Sequence, residues 1–118
     1  MPLNDWSDRI LIAELNDEPA FSEDIDAVMR RLSREKTGPP DVIADFKSVT
    51  YLNSSNIAQL LMLRNRLKQS KRRLLGCSVS DPVWSVILTT GLDRLIGFTE
   101  DVSTALASLQ IEEPQGPS

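Results

Sequence analysis

Apolar and polar positions switch period along this chain, and the switches mark its elements. Arg9-Ile10-Leu11-Ile12-Ala13-Glu14-Leu15 is a short Ile- and Leu-rich run that reads as a strand. Asn16-Asp17-Glu18-Pro19 ends it as a turn. Phe21, Ile25, Val28, Met29 and Leu32 then recur at helical spacing, with Ser22, Glu23 and Asp24 in the first turn. Arg30, Arg31, Arg34 and Lys36 load the far end, and Thr37-Gly38-Pro39-Pro40 stops the helix.

Asp41-Val42-Ile43-Ala44-Asp45-Phe46 is the next strand, apolar enough at its centre to be covered on both faces. From Ser54 to about Gln69 the pattern is helical again. Ile57, Leu60, Leu61, Leu63, Leu67 and the stem of Arg64 share one broad face, and Ser55, Gln59, Met62, Arg66 and Gln69 lie opposite. Arg73 to Val79 reads as a third strand. Asp81 and Pro82 open a third helix as N-cap and first helical residue, and Thr89-Thr90-Gly91 closes it. A turn and short strand follow within Leu92–Phe98. Thr99-Glu100-Asp101 caps a last helix with Val102, Ala105, Leu106 and Leu109 on one side.

Strand and helix thus alternate four times, with short connections. That pattern predicts an α/β fold, a mostly parallel sheet and right-handed crossovers. No linker divides the chain, so residues 1–111 are expected to form one domain. Glu112 to Ser118, with two Pro and one Gly, is expected to be a disordered tail.

Composition removes several kinds of chemistry. The 118 residues include no His and one Cys. Ser-His-Asp and Cys-His catalysis therefore drop out, and a zinc site is not expected. Carboxylate sites for magnesium or calcium stay open, but no EF-hand or P-loop pattern is present, and no metal or other cofactor is expected. Cys77, in a central strand, is expected to be inert core. The lone Cys and the lack of a signal or membrane-spanning run suggest a cytoplasmic protein with no membrane partner.

Charge is uneven. Residues 1–45 hold eleven acids and five bases, and residues 81–118 hold six acids and one base. Residues 46–80 hold seven bases and no acid, so the entrance of the second helix lies in a basic segment. Basic runs can bind anions or remain solvated helix ends. The run Lys71-Arg72-Arg73 lacks the aromatic interleaving and motifs of a nucleic-acid site, and no nucleic-acid partner is expected.

That entrance is the most informative stretch. Tyr51-Leu52-Asn53-Ser54-Ser55-Asn56 crowds two hydroxyls and two amides at a helix start. Such groups can cap unpaired N–H donors. The same donors and the helix dipole would also welcome a phosphate on a serine. The sequence leaves both uses open.

The stretch from Val42 to Phe46, with Val49-Thr50-Tyr51-Leu52-Asn53-Ser54-Ser55-Asn56-Ile57-Ala58-Gln59-Leu60, resembles the STAS family of sulfate-transporter and anti-sigma-factor-antagonist domains. Asp81-Pro82-Val83 and Thr90-Gly91-Leu92-Asp93-Arg94-Leu95-Ile96 resemble its third helix and the loop into its last strand. The resemblance implies a mixed, mainly parallel sheet of about four strands with packed helices. The family begins with a further edge strand, for which Leu3 to Trp6 is the available stretch. It also implies a bacterial regulator that binds an anti-sigma factor serine kinase, is not an enzyme, and is switched off by phosphorylation. The matching acceptor is Ser54, with Ser55 as neighbour. The matching partner surface comprises Asn53, Ser54, Ser55, Asn56, Ala58, Met62 and Arg66. Asn53 stands where the family has Asp, and Asn56, where it has Gly, sets a side chain in the kinase's approach. A binding module without the switch and a small-ligand or nucleotide sensor therefore stay open.

Overall fold

The computed structural model describes residues 3–7, 9–34 and 38–111. The apolar runs become the parallel part of one sheet. β2 (Ile10–Asn16), β3 (Asp41–Ser48), β4 (Leu74–Cys77) and β5 (Gly97–Thr99) run parallel, and β1 (Leu3–Ser7) pairs antiparallel with β2. Among the described residues the sheet has five strands in the order β1-β2-β3-β4-β5, one more than the alternation predicts. β1 is hard to read because its centre, Asn4-Asp5-Trp6, is exposed and only one side of it is paired. Leu3 packs on the core, and Asp5 pairs with Arg31 of the first helix.

Four α-helices connect or follow the strands among the described residues: α1 (Ala20–Arg34), α2 (Ser54–Gln69), α3 (Asp81–Thr90) and α4 (Val102–Ile111). Each parallel strand lies beside its predecessor. Crossovers of one hand then put their helices on one face. Accordingly α1, α2 and α3 cover one face, where Phe21, Val28, Leu60, Leu63, Val83 and Ile87 meet Leu11, Val42, Ala44 and Phe46. α4 covers the other, where Ala105 and Leu109 meet Ile10, Ile12, Ile43 and Cys77. The period-two alternation of β3 explains this sorting, since its even positions face one layer and Ile43 the other. Cys77 is fully buried, and burial pushes its thiol up to about 11.

Boundaries shift where local geometry intervenes. β4 stops at Cys77 because Ser78 takes a φ of +60° and leaves the extended path. The N-cap position of α3 is Ser80, one residue before the expected Asp81, with no capping bond from its side chain, and Asp81 becomes a first-turn acid at the dipole. Leu92–Arg94 forms a 3-10 turn, which delays β5 to Gly97. Asp101 caps α4, its Oδ1 accepting the Thr104 N–H at 2.8 Å. The expected helix end at Lys36-Thr37 and the expected tail at 112–118 lie outside the described residues.

Candidate functional site

Parallel strands deliver their following loops to one edge of the sheet. The loop after β2 and the loop after β3 therefore lie side by side, and they are tied together. Asp17 accepts twice from Thr50, from the N–H at 2.8 Å and from the hydroxyl at 2.6 Å. The Thr50 hydroxyl is the main reason the Asp17 carboxyl sits below the usual range. Val49 and Leu52 anchor the second loop in the core, whereas Tyr51 is exposed.

Asn53 is the N-cap of α2, with extended backbone at φ −102° and ψ 176°. Its Oδ1 accepts the Asn56 N–H at 2.8 Å, and Asn56 Oδ1 accepts the Asn53 N–H at 3.0 Å. This reciprocal pair is a capping box made of two asparagines. Asn56 is only 1% exposed. Its Nδ2 donates to Glu18 Oε2 at 2.9 Å and to Gln59 Oε1 at 3.3 Å. Glu18 also accepts from Ser22, through the hydroxyl at 2.7 Å and the N–H at 2.9 Å. Gln59 closes the circuit by donating to Ser22 Oγ at 2.9 Å. The Ser22 hydroxyl, then its N–H, hold the Glu18 carboxyl below its ordinary value, with a smaller contribution from Asn56.

This geometry corrects two features of the expected surface. Asn56 was expected on the outer side of the entrance, where a kinase would approach. Its side chain instead turns inward, where it satisfies the Asn53 N–H and Glu18 together, while Asn53 stays exposed. Gln59 and Arg66 were expected on the face away from the core. They point along the α1–α2 seam, where Arg66 donates to Leu32 O at 3.2 Å and to Ser70 Oγ at 3.0 Å. Arg66 is half-buried there. The outward stripe is therefore Asn53, Ser54, Ser55, Ala58 and Met62, with Met62 at 61% exposure. Ser54, Ala58 and Met62 stand four apart and share one line along the helix.

The charge around the entrance also differs from the expectation. The basic segment does not surround Ser54. Arg64, Lys68, Arg72 and Arg73 line a groove of about 350 Å³ at the other end of α2, beside Leu95 and Gly97. α2 has 16 residues, which at ~1.5 Å per residue places that end roughly 24 Å away. There Asp41 takes the Arg73 N–H at 2.8 Å and pairs with Arg72 at 3.2 Å. Asp17 and Glu18, beside the entrance, are acidic. Local positive potential at Ser54 comes from the helix start itself.

The serines are spared from structural duty. The cap interaction is made by Asn53 and Asn56, and no hydrogen bond of the Ser54 or Ser55 hydroxyl is formed among the described residues. Helix geometry leaves the N–H groups of Ser54 and Ser55 without an intrahelical partner at the helix start. The supporting residues Asp17, Glu18, Ser22, Thr50 and Gln59 escape sequence reasoning. The Glu18–Ser22 spacing of four was a legible signal, but Asp17 and Thr50 are 33 positions apart and no pattern links them. Among the described residues no three His, Cys, Asp or Glu side chains gather as metal ligands, and no helix is long and apolar enough to cross a membrane.

A family model for the STAS domain matches residues 6–105. No curated protein matches the chain in sequence. Solved structures share its fold. A candidate anti-sigma factor antagonist from Thermotoga maritima superposes with a TM-score of 0.79 at 15% identity, over 92% of this chain and 93% of that one. An anti-sigma-factor antagonist (STAS) domain protein from Planctomyces limnophilus gives 0.77 at 17% identity, over 92% and 96%. The Bacillus cell fate determinant SpoIIAA, in its phosphorylated form, gives 0.69 at 15% identity, over 91% and 96%.

Proposed function

Because the chain belongs to the STAS domain family, we propose that it is an anti-sigma factor antagonist whose docking surface is the outward stripe at the start of α2. In its unmodified form it binds an anti-sigma factor that is also a serine kinase. Phosphorylation of Ser54 adds roughly −1.5 to −2 charges to that surface and ends the complex. The role is binding, with no turnover by this chain.

One observation carries this reading. The capping of α2 falls to Asn53 and Asn56, so the Ser54 hydroxyl is free to accept a phosphate without loss of the cap. The phosphate would meet these N–H donors and the positive helix end. The buried side chain of Asn56 presents no obstacle to a kinase approaching from outside. Two structural relatives described as antagonists support the same role, and a third, the cell fate determinant SpoIIAA, is known in a phosphorylated form.

The test is direct. The protein is incubated with an anti-sigma serine kinase and ATP, and modified residues are mapped by mass spectrometry. The expected result is phosphate on Ser54 and loss of the complex for Ser54→Asp. A kinase that modifies another antagonist but leaves Ser54 and Ser55 bare would overturn the switch. If Ser54→Asp then still binds, the chain is a constitutive binding module.

A further inference from the structure

The edge that carries Ser54 continues past α2. β4 and β5 end at Cys77 and Thr99, and the loops after them lead into α3 and α4. Between these loops lies an open depression of about 860 Å³. Val79, Trp84 and Phe98 form its apolar wall, and Asp81, Glu100 and Thr104 are at its rim.

The wall exists because a side chain is missing. A Cβ on Gly76 would stand 2.4 Å from Phe98 Cε2, closer than real contacts allow. With glycine there, the Phe98 ring lies across β4, its centroid 6.2 Å from that of Phe46. Trp84 meets Phe98 edge-on, with centroids 5.5 Å apart and planes at 77°. Ser78, in its left-handed conformation, donates its N–H to Glu100 O at 3.1 Å and ties the two loops together. Trp84 and Phe98 both remain partly exposed.

Charge decides what such a site accepts. Among the described residues its lining includes no Lys or Arg. The starts of α3 and α4 contribute about +0.5 each. The carboxylates of Asp81 and Glu100 outweigh them, leaving the site net negative. Aromatic faces beside carboxylates suit a guanidinium or ammonium group. Enclosed ligand sites bury most of their ligand, whereas this depression covers one side of an occupant. A side chain presented by a second protein fits it.

We infer that the depression is a second docking point, one loop beyond Ser54, for an arginine or lysine side chain of the same partner. The identity of that partner rests on the antagonist reading; the preference for a cation does not.

The test has two arms. In the first, N-acetyl-arginine amide is titrated into the ¹⁵N-labelled protein, and the indole Nε1–H signals of Trp84 and Trp6 are followed. The Trp84 signal is expected to shift saturably while Trp6, exposed on β1, stays still. The neutral analogue N-acetyl-citrulline amide is expected to have no effect, and Asp81→Asn with Glu100→Gln is expected to abolish the shift. Equal responses to both probes, or of both indoles, would overturn the inference. In the second arm, an anti-sigma protein that binds the wild type is expected to bind the double variant about tenfold more weakly. Unchanged binding would overturn the docking point and leave the antagonist reading intact. A cation response with no anti-sigma protein bound would do the reverse for the antagonist reading. Thermal melts confirm that the two exposed substitutions leave the fold in place.

Discussion

Asn56 and Glu18, 38 positions apart, meet through a hydrogen bond of 2.9 Å from Nδ2 to Oε2. Through it the start of α2 is held from its buried side by the start of α1. The outer side of the same helix turn is left to Ser54, Ser55, Ala58 and Met62.

Asn56→Ala removes the inner half of this arrangement. It takes away an acceptor for the Asn53 N–H and a donor to Glu18. Leaving such groups unsatisfied at a buried position costs about 1–3 kcal/mol. Urea denaturation of the variant is expected to show a lower midpoint with an unchanged slope.

The two layers of the entrance respond differently to substitution. Asn53→Ala loses the cap and is expected to cost about 1 kcal/mol. Ser54→Ala is expected to stay within about 0.5 kcal/mol of the wild type. Ser54→Asp puts an acid at the first helical position and is expected to be neutral or to stabilise by roughly 0.3–1 kcal/mol. Thermal melts of the three variants check this order. A large loss in Ser54→Ala would mean that the serine is a structural cap after all.

Acid should act in opposite directions on the turn before α1 and on Asp24 within it. Asp17 and Glu18 have folded values below 3.8 and 4.5, so their stabilisation is present above those values. It is lost as the pH falls through the lower folded values. Asp24 is the reverse case. Burial raises it above 3.8, against the hydrogen bond from Asn16, so its ionisation weakens the fold as the pH rises through the folded value. At neutral pH Asp24→Asn is expected to raise the melting temperature and Asp17→Asn to lower it. Both differences should shrink in melts recorded from about pH 7 down to about pH 3.

Gly76→Ala should strain the wall of the aromatic depression. The new Cβ meets the Phe98 ring at 2.4 Å, and overpacking of this kind typically costs about 1–3 kcal/mol. Phe98→Ala on the same background is expected to recover part of that cost in a double-mutant cycle. Additive losses would place the strain elsewhere.

The sequence discloses what periodicity and composition encode. β2, β3 and α2 were legible because Leu11, Val42, Leu60 and Leu63 repeat at the period of their element. The Asn53–Asn56 entrance was legible as a motif. Its internal geometry was not, since an asparagine at the third helical position can turn outward or inward. Burial against Glu18 decides that, and Glu18 belongs to another loop. The basic segment misled for a related reason. Linear proximity placed Arg64 to Arg73 near Ser54, but a helix separates its two ends, and the bases fall beside Asp41 and Leu95. β1 escaped the periodicity, because an edge strand with an exposed centre carries little hydrophobic signal, and only the family resemblance pointed to Leu3–Trp6.

The unbroken strand order has a consequence for synthesis. Each strand after β1 that emerges from the ribosome finds its earlier neighbour in the sheet already made. The bonds that fix the Ser54 entrance reach from Asp17 and Glu18 to Gln59, so they are complete once α2 has emerged. The aromatic depression must wait for Phe98 and Thr104. A nascent chain thus acquires the serine surface well before the acidic, cation-accepting one, and only the finished domain can engage a partner through both.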